Sequence, residues 1–190
     1  MTALSIVGQG NMGSAIAQIA TDGGHTVEHL GRDASQPVNG EVVVLAVPYP
    51  ALEDVLANHG AKFAGRVVVD ITNPLDFETF DSLVVPADSS AAAQLAGQLP
   101  DSPVLKAFNT NFAATLAGGK VGTDTTTVLI AGDDASAKQT LSDVVRSGGL
   151  EAVDAGSLKR ARELEALGFL QLTLAAQEKV PWTAGFAVVR

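Results

Sequence analysis

The sequence predicts an α/β fold with a doubly wound parallel sheet, and three observations predict it. Apolar runs of strand length alternate along the 190 residues with amphipathic stretches of helix length, the order expected when helices cover a parallel sheet. Several of those runs are unbroken Val, Ile and Leu, as in strands buried on both faces. The first run ends directly in Gly8-Gln9-Gly10-Asn11-Met12-Gly13, a G-x-G-x-x-G turn that opens a helix. Strand, glycine turn and helix in that order describe a Rossmann-type sheet. It is expected over residues 1–154, followed by a short helix-plus-strand segment over 155–190.

The opening strand is expected over 4–7, and the helix after the turn over 11–21, where Asp22-Gly23-Gly24 stops it. Strands follow over 26–30 and 42–47. Only Gly31 to Glu41 lie between them, with Pro37 and Gly40 inside, whereas a crossover helix with its loops needs at least ~10–12 residues. A loop or single turn is expected there, leaving one face of the sheet thinly covered. A helix over 51–58, a strand over 67–71, a helix over 90–99 and a strand over 104–109 come next. Thr123 to Thr127 reads as polar loop running into a strand over 126–131. Asp133-Asp134 offers an N-cap and first-turn negative charge to a helix over 135–147. A short strand over 151–153 leads to the last long helix, over 158–179. There Leu164, Leu167, Leu170 and Leu174 form one stripe while Phe169 and Leu172 lie on other sides. Such a helix wants a second apolar partner, met either by a homodimer or by complete burial in one subunit. The tail 181–190, which holds the only Trp, reads as a loop and then a short strand.

Composition narrows the function. Twelve Lys and Arg against 21 Asp and Glu give a net charge of −9, which repels phosphate backbones and anionic membrane surfaces, so neither nucleic acid nor membrane is an expected partner. No Cys is present, which excludes disulfides, thiolate metal sites and Cys nucleophiles. No apolar stretch approaches the ~18 residues of a membrane span, and the N-terminus lacks a basic leader, so a cytoplasmic protein is expected. His25, His29 and His59 lack metal-like spacing, and neither a G-x-S-x-G elbow nor a phosphate loop ending in Gly-Lys-Ser/Thr occurs.

The glycine turn carries the sharpest chemistry. Gly8 permits the tight bend, Gly10 lets backbone approach a pyrophosphate, and Gly13 lets helix pack close on strand, while free N–H groups at the helix start attract the anion. Cofactor choice is read where the second strand leaves as Gly31-Arg32-Asp33: the guanidinium of Arg32 suits a ribose 2′-phosphate, favouring NADP over NAD. The competing reading leaves Arg32 to Asp33 or solvent and puts Asp33 on the ribose. Ligands of open α/β sheets bind outside the carboxyl ends of the strands, which places Val47-Pro48, Asn73-Pro74 and Asn109-Thr110-Asn111 at the crevice or, on the plainer reading, in simple turns. Asp70 is expected to satisfy loop N–H groups rather than to act as a base. Lys159, Arg160 and Arg162 at the start of the last helix either face an anionic ligand or make surface pairs, Lys159 with Glu163 and Arg162 with Glu165. Without a convincing acid–base pair, the cofactor must carry the chemistry, and direct hydride transfer fits.

Residues 5–13, Val47-Pro48-Tyr49, Asn73-Pro74 and Asp154-Ala155-Gly156-Ser157-Leu158 leading into Arg162-Glu163-Leu164-Glu165 resemble the NADP-dependent reductases of the deazaflavin (coenzyme F-420) family over most of the chain. The resemblance implies NADP(H) binding, a dimer, and hydride transfer between nicotinamide and a deazaflavin or flavin ring. It implies that Gly8, Gln9, Gly10, Asn11 and Met12 hold the pyrophosphate, Arg32 the 2′-phosphate, and Val47, Pro48, Asn73 and Pro74 the ribose and nicotinamide, with Asn109 and Thr110 orienting the hydride acceptor. The sequence departs from that pattern in a glycine turn one residue shorter than in the best-known members, in Asp33 where a second basic residue is common, and in the short 31–41 connection.

Two other functions share the glycine turn. Reductases of the pyrroline-carboxylate or hydroxyacid type have a large helical C-terminal domain, for which the roughly forty residues after the sheet are too few. A non-enzymatic NADP(H) sensor resembles a bare Rossmann domain that usually closes its second strand with an acidic residue.

Overall fold

Successive side chains of a strand point to opposite faces, so a central run of Val and Leu can feed two cores at once. The third strand does so: Val42 and Val44 lie in one hydrophobic cluster, Val43 and Leu45 in the other. The computed structural model describes residues 1–31 and 33–189. In chain order the elements are β1 (Ala3–Val7), α1 (Asn11–Asp22), β2 (Thr26–Leu30), β3 (Val42–Leu45), α2 (Leu52–His59), β4 (Val67–Asp70), α3 (Ala91–Gln98), β5 (Val104–Lys106), α4 (Ala113–Gly118), β6 (Lys120–Val121), β7 (Asp124–Thr125), β8 (Thr127–Gly132), α5 (Ala135–Ser147), β9 (Glu151–Gly156) and α6 (Ala161–Ala176). Short 3-10 turns precede α2 and α6.

The main sheet runs β2-β1-β3-β4-β5-β8-β9. Its five leading strands are mutually parallel, β8 is antiparallel to β5, and β9 is parallel to β8. One cluster joins the sheet to α1, α4 and α5 through Ile16, Ile19, Leu116, Leu141 and Val144; the other joins it to α2, α3 and the start of α6 through Leu52, Leu95 and Ala161. The fold is therefore the expected α/β sheet wound on both faces. The single antiparallel joint arises because α4 and the two-stranded β6–β7 hairpin replace a crossover helix, returning the chain beside β5 in the opposite sense. From the sequence no element is expected over 113–118, and only polar loop over 123–127. Among the described residues no helix is long and apolar enough to cross a membrane.

Several boundaries move. The expected strand 42–47 stops at Leu45, so Ala46, Val47 and Pro48 leave the sheet. The strand 104–109 stops at Lys106, because Phe108 adopts a left-handed φ of 61° that no strand accommodates. The last helix ends at Ala176 rather than 179, and no strand forms over 181–189, so the expected C-terminal strand is corrected to a turn followed by irregular chain: no sheet edge meets it. The sheet itself continues to Gly156, past the boundary expected at 154.

The described residues of the 31–41 connection form no helix, as its length suggests, and β2 stays partly exposed. Glu28 pins it, accepting hydrogen bonds from the Asn39 backbone at 2.7 Å and side chain at 2.8 Å, while Gly40 N–H donates to Ser5 Oγ at 2.8 Å. A side chain at Gly40 would collide with the Ser5 backbone, so this close approach requires glycine. Burial works to raise the Glu28 pKa, but the hydrogen bonds from Ser5 and Asn39 outweigh it and hold the carboxyl below its ordinary value. Its contribution to stability is therefore present above pH 4.5 and lost as the pH falls through the folded value.

The C-terminal helix is fixed by charge rather than by its leucines. Lys106 Nζ, fully buried, donates to Asp70 Oδ2 at 2.8 Å and to Thr72 O at 2.6 Å and pairs with Glu165 Oε1 at 2.8 Å. Glu165 also accepts the N–H groups of Ala91 and Ala92 at the start of α3. The surface pair expected between Arg162 and Glu165 is thus replaced by an internal one, and Arg160 rather than Lys159 lies near Glu163, at 3.6 Å. Burial pushes the Glu165 pKa above its ordinary value, with Lys106 and the α3 N–H groups opposing the shift. Removing the cation by Lys106→Met leaves two buried carboxylates without it and is expected to cost about 3–5 kcal/mol at neutral pH. The Glu165 pKa then rises further, so the deficit shrinks as that carboxyl protonates; urea melts from about pH 8 down to about pH 5 check this.

Candidate functional site

The carboxyl ends of β1, β3, β4 and β5 open onto one edge of the sheet, and three contiguous cavities run along it. The first, about 720 Å³, lies between the glycine turn, the end of β2 and α2, and is lined by Gly8, Gln9, Gly10, Gly31, Val47 and Pro48 among others. The second, about 330 Å³, shares Gly10, Val47 and Pro48 with it and adds Asn11, Met12, Thr72 and Asn73. The third, about 410 Å³, shares Asn11, Met12 and Asn73 with the second and continues under Asn109, Asn111, Gln171 and Trp182. Phe112 and Trp182 face each other there, with ring centroids 5.1 Å apart.

The glycine turn meets the steric demands expected of it. Gly8 has φ 112°, and a Cβ there would strike the Ala46 carbonyl; a Cβ on Gly13 would come within 2.6 Å of the Gly8 carbonyl. Gly10 differs, since its Cβ would meet nothing within 4 Å and would project into open space. Gly10 is also the N-cap of α1, whose first turn has neither a side-chain cap nor an acidic residue. The helix start therefore offers unspent N–H groups and its positive dipole end to the junction of the first two cavities. These features fit a dinucleotide pyrophosphate.

At the far end of the first cavity, Gly31 N–H donates to Gln36 Oε1 at 2.8 Å, and the Gly31 carbonyl lies 3.1 Å from His59 Nε2. Asp33 is turned away from the cleft: its Oδ1 accepts Ser35 N–H at 2.8 Å, and that hydrogen bond holds its pKa below the ordinary value. Arg32 lies outside the described residues. His59, buried at the end of α2 with Nδ1 lacking a partner among the described residues, is a cleft residue that sequence reasoning missed. Its only signal was a histidine closing a helix, and nothing local placed that helix end beside β2.

On the other side, Asn73 and Asn109 form a reciprocal pair. Asn73 Nδ2 donates to the Asn109 carbonyl at 2.9 Å, and Asn109 Nδ2 donates to Asn73 Oδ1 at 2.9 Å and to the Leu164 carbonyl at 2.8 Å. The left-handed Phe108 turns the chain so that Asn109 reaches this pair. Gly168 lets α6 lie against it, because a Cβ there would collide with Asn73 Oδ1 and come within 2.8 Å of the Asn109 carbonyl. Thr110 and Pro74 are buried but line none of the three cavities, and Pro74 instead accepts Val84 N–H at 2.7 Å within the 74–84 loop. Asp70 accepts Thr72 N–H at 2.8 Å, the loop-capping role expected of it. Lys159, Arg160 and Arg162 are exposed and line none of the cavities. Gln171, buried on α6, is a cavity residue that the leucine pattern of that helix did not signal.

Among the described residues, Tyr49, on the second cavity, is the one titratable side chain lining the second or third. Burial, with Glu165 and Asp70 nearby, raises its pKa above 10, and its hydroxyl donates to Gln94 at 2.9 Å. The arrangement can bind and orient planar ligands but offers no evident proton relay.

Comparison with known proteins gives the same picture. A family model described as NADP oxidoreductase, coenzyme F420-dependent, matches residues 26–74. The chain is 31% identical over 156 residues to the F420-dependent NADP reductase of Methanothermobacter marburgensis, covering 78% of this chain and 68% of that one. It is 37% identical over 142 residues to the metalloreductase STEAP3 of Rattus norvegicus, covering 74% of this chain but 27% of the relative, so it spans about a quarter of that protein. A crystal structure from Arthrobacter sp. FB24, described as a candidate F420-dependent NADP reductase, superposes over 100% of both chains with a TM-score of 0.86 at 25% identity.

Serine is a good helix cap whose hydroxyl would take the α1 N–H groups for itself. Gly10→Ser is therefore expected to leave the melting temperature of the free protein unchanged or slightly higher while weakening NADPH binding about tenfold or more. A fluorescence titration beside a thermal melt checks both halves.

Proposed function

The chain belongs to the family of coenzyme F420-dependent NADP oxidoreductases, and from that premise we propose that it binds NADP(H) along the first two cavities and exchanges hydride with a flavin or deazaflavin ring in the third. One observation carries this reading: the three cavities form a continuous trough hinged on the uncapped start of α1, with shared walls at Gly10 and at Asn11-Met12-Asn73. When bound, the reduced dinucleotide supplies hydride, two electrons with one proton, and the acceptor takes a second proton from solvent. The protein's own part is orientation. The α1 N–H groups hold the pyrophosphate, Val47 and Pro48 wall the ribose, and the Asn73–Asn109 pair braces the floor beneath the reacting rings.

Arg32 is the residue assigned to the 2′-phosphate; in support, Asp33 spends its carboxylate on Ser35, and among the described residues the one carboxylate lining the first cavity is Asp54. Arg32→Ala is expected to weaken NADPH about tenfold or more while leaving NADH nearly unaffected in parallel titrations; equal losses for both would remove this role. NADPH oxidation followed against deazaflavin, flavin, quinone and carbonyl acceptors tests the reaction, and no turnover with either ring system would sink it.

The homodimer implied by the resemblance is supported by α6, where Leu170 is 49% exposed and Leu167 and Leu174 are only partly covered. Sedimentation equilibrium is expected to give twice the chain mass, and Leu170→Glu to shift it toward the monomer.

A further inference from the structure

Gln171 is 3% exposed, and both polar atoms of its side chain lack partners among the described residues, although it lines the third cavity. A primary amide buried this way forfeits hydrogen bonds that folding could readily have supplied, a cost that a ligand can remove. Two more unpaired atoms belong to lining residues of that cavity. Asn109 donates its amide protons to Asn73 and Leu164, and Asn111 Nδ2 donates to the Thr127 carbonyl at 3.1 Å, while Oδ1 of each has no partner among the described residues. Those carbonyl partners fix which atom of each Asn is oxygen. Three amide oxygens and one NH₂ group, all buried and without partners among the described residues, thus belong to residues that line this one cavity, with Met12, Ile71, Phe112, Leu172 and Trp182 supplying apolar wall.

We propose that Gln171 is a specificity-determining residue that reads the imide edge of a neutral planar heterocycle, the C=O, N–H, C=O face of a flavin or deazaflavin ring, in this cavity. The inference rests on the hydride-transfer reading for the identity of the acceptor and deepens it. Amide oxygens demand N–H donors, and the Gln171 NH₂ group demands a carbonyl; an imide offers both in adjacent positions. A quinone offers carbonyls alone and leaves the oxygens unpaired. A carboxylate substrate would face three acceptors with no cation lining the cavity, a poor exchange for its hydration.

Trp182 is the only tryptophan and lines the cavity, so its fluorescence reports occupancy directly. With NADP⁺ saturating, 5-deazariboflavin is titrated against its N3-methyl derivative, which lacks the imide proton. Wild type is expected to bind the methylated ring about tenfold more weakly. Gln171→Leu is expected to lose about tenfold for the unmethylated ring, to discriminate less between the two, and to bind NADPH as wild type does. Equal binding of the two rings by wild type overturns the proposal. So does a Gln171→Leu loss that falls on NADPH instead of the ring, since the amide would then serve the nicotinamide carboxamide. Should Gln171→Leu melt early, discrimination by wild type still decides. Imide-selective binding without NADPH oxidation by either ring would sink the hydride-transfer reading and leave the imide site standing. Turnover indifferent to N3-methylation would do the reverse.

Discussion

One ammonium group holds the site together. Lys106 Nζ spends its three protons on Asp70, Thr72 and Glu165, and through them joins β5 to β4, to the loop after β4 and to α6. Glu165 extends the link to the start of α3 by taking two backbone N–H groups there. A buried cluster of this kind adds little net stability compared with apolar residues of the same size, but it tolerates few alternative geometries. The helix that roofs the third cavity is therefore set by ion pairing together with buried Ala161 and Leu164, and its later leucines are left partly exposed.

That constraint propagates to the reacting end of the trough. With α6 fixed, Gly168 brings its backbone against the Asn73–Asn109 pair, and the Leu164 carbonyl takes one of the Asn109 amide protons. The left-handed turn at Phe108, of the order of 1–3 kcal/mol in cost, is offset by burial of the Phe ring in the core and by the hydrogen bonds it lets Asn109 make. The two asparagines thus form a braced pair in which Asn109 Oδ1 has no partner among the described residues, and Asn73 lines the same cavity as Gly10 at the uncapped start of α1. Among the described residues the second and third cavities are lined by no Asp, Glu, Lys or Arg, so what the chain offers there is position rather than charge.

Much of this was legible in order along the chain. The Val-rich runs gave the central strands, Asp134 caps α5 by accepting Ala137 N–H at 2.8 Å as its position suggested, and the shortness of 31–41 ruled out a helix. The glycine turn announced its own geometry, since each of its demands is local to a strand, a bend and a helix. Legibility ended where a residue's partner lies far away in sequence. Glu165 reads as half of a surface pair with Arg162 because a sequence displays only near-neighbour spacings along a helix, whereas its cation lies 59 positions earlier in the chain. Gln171 and His59 were passed over for the same reason.

By itself the sequence determined the α/β class, the strand-to-helix glycine turn and the side of the sheet on which a dinucleotide would lie, because those follow from periodicity and backbone sterics within a few residues. Only the tertiary structure decided the antiparallel return of β8, the face that α6 buries, and the meeting of Asn109, Asn111 and Gln171 around one cavity. Those depend on which distant polar groups satisfy one another once water is excluded, and no local pattern encodes that choice.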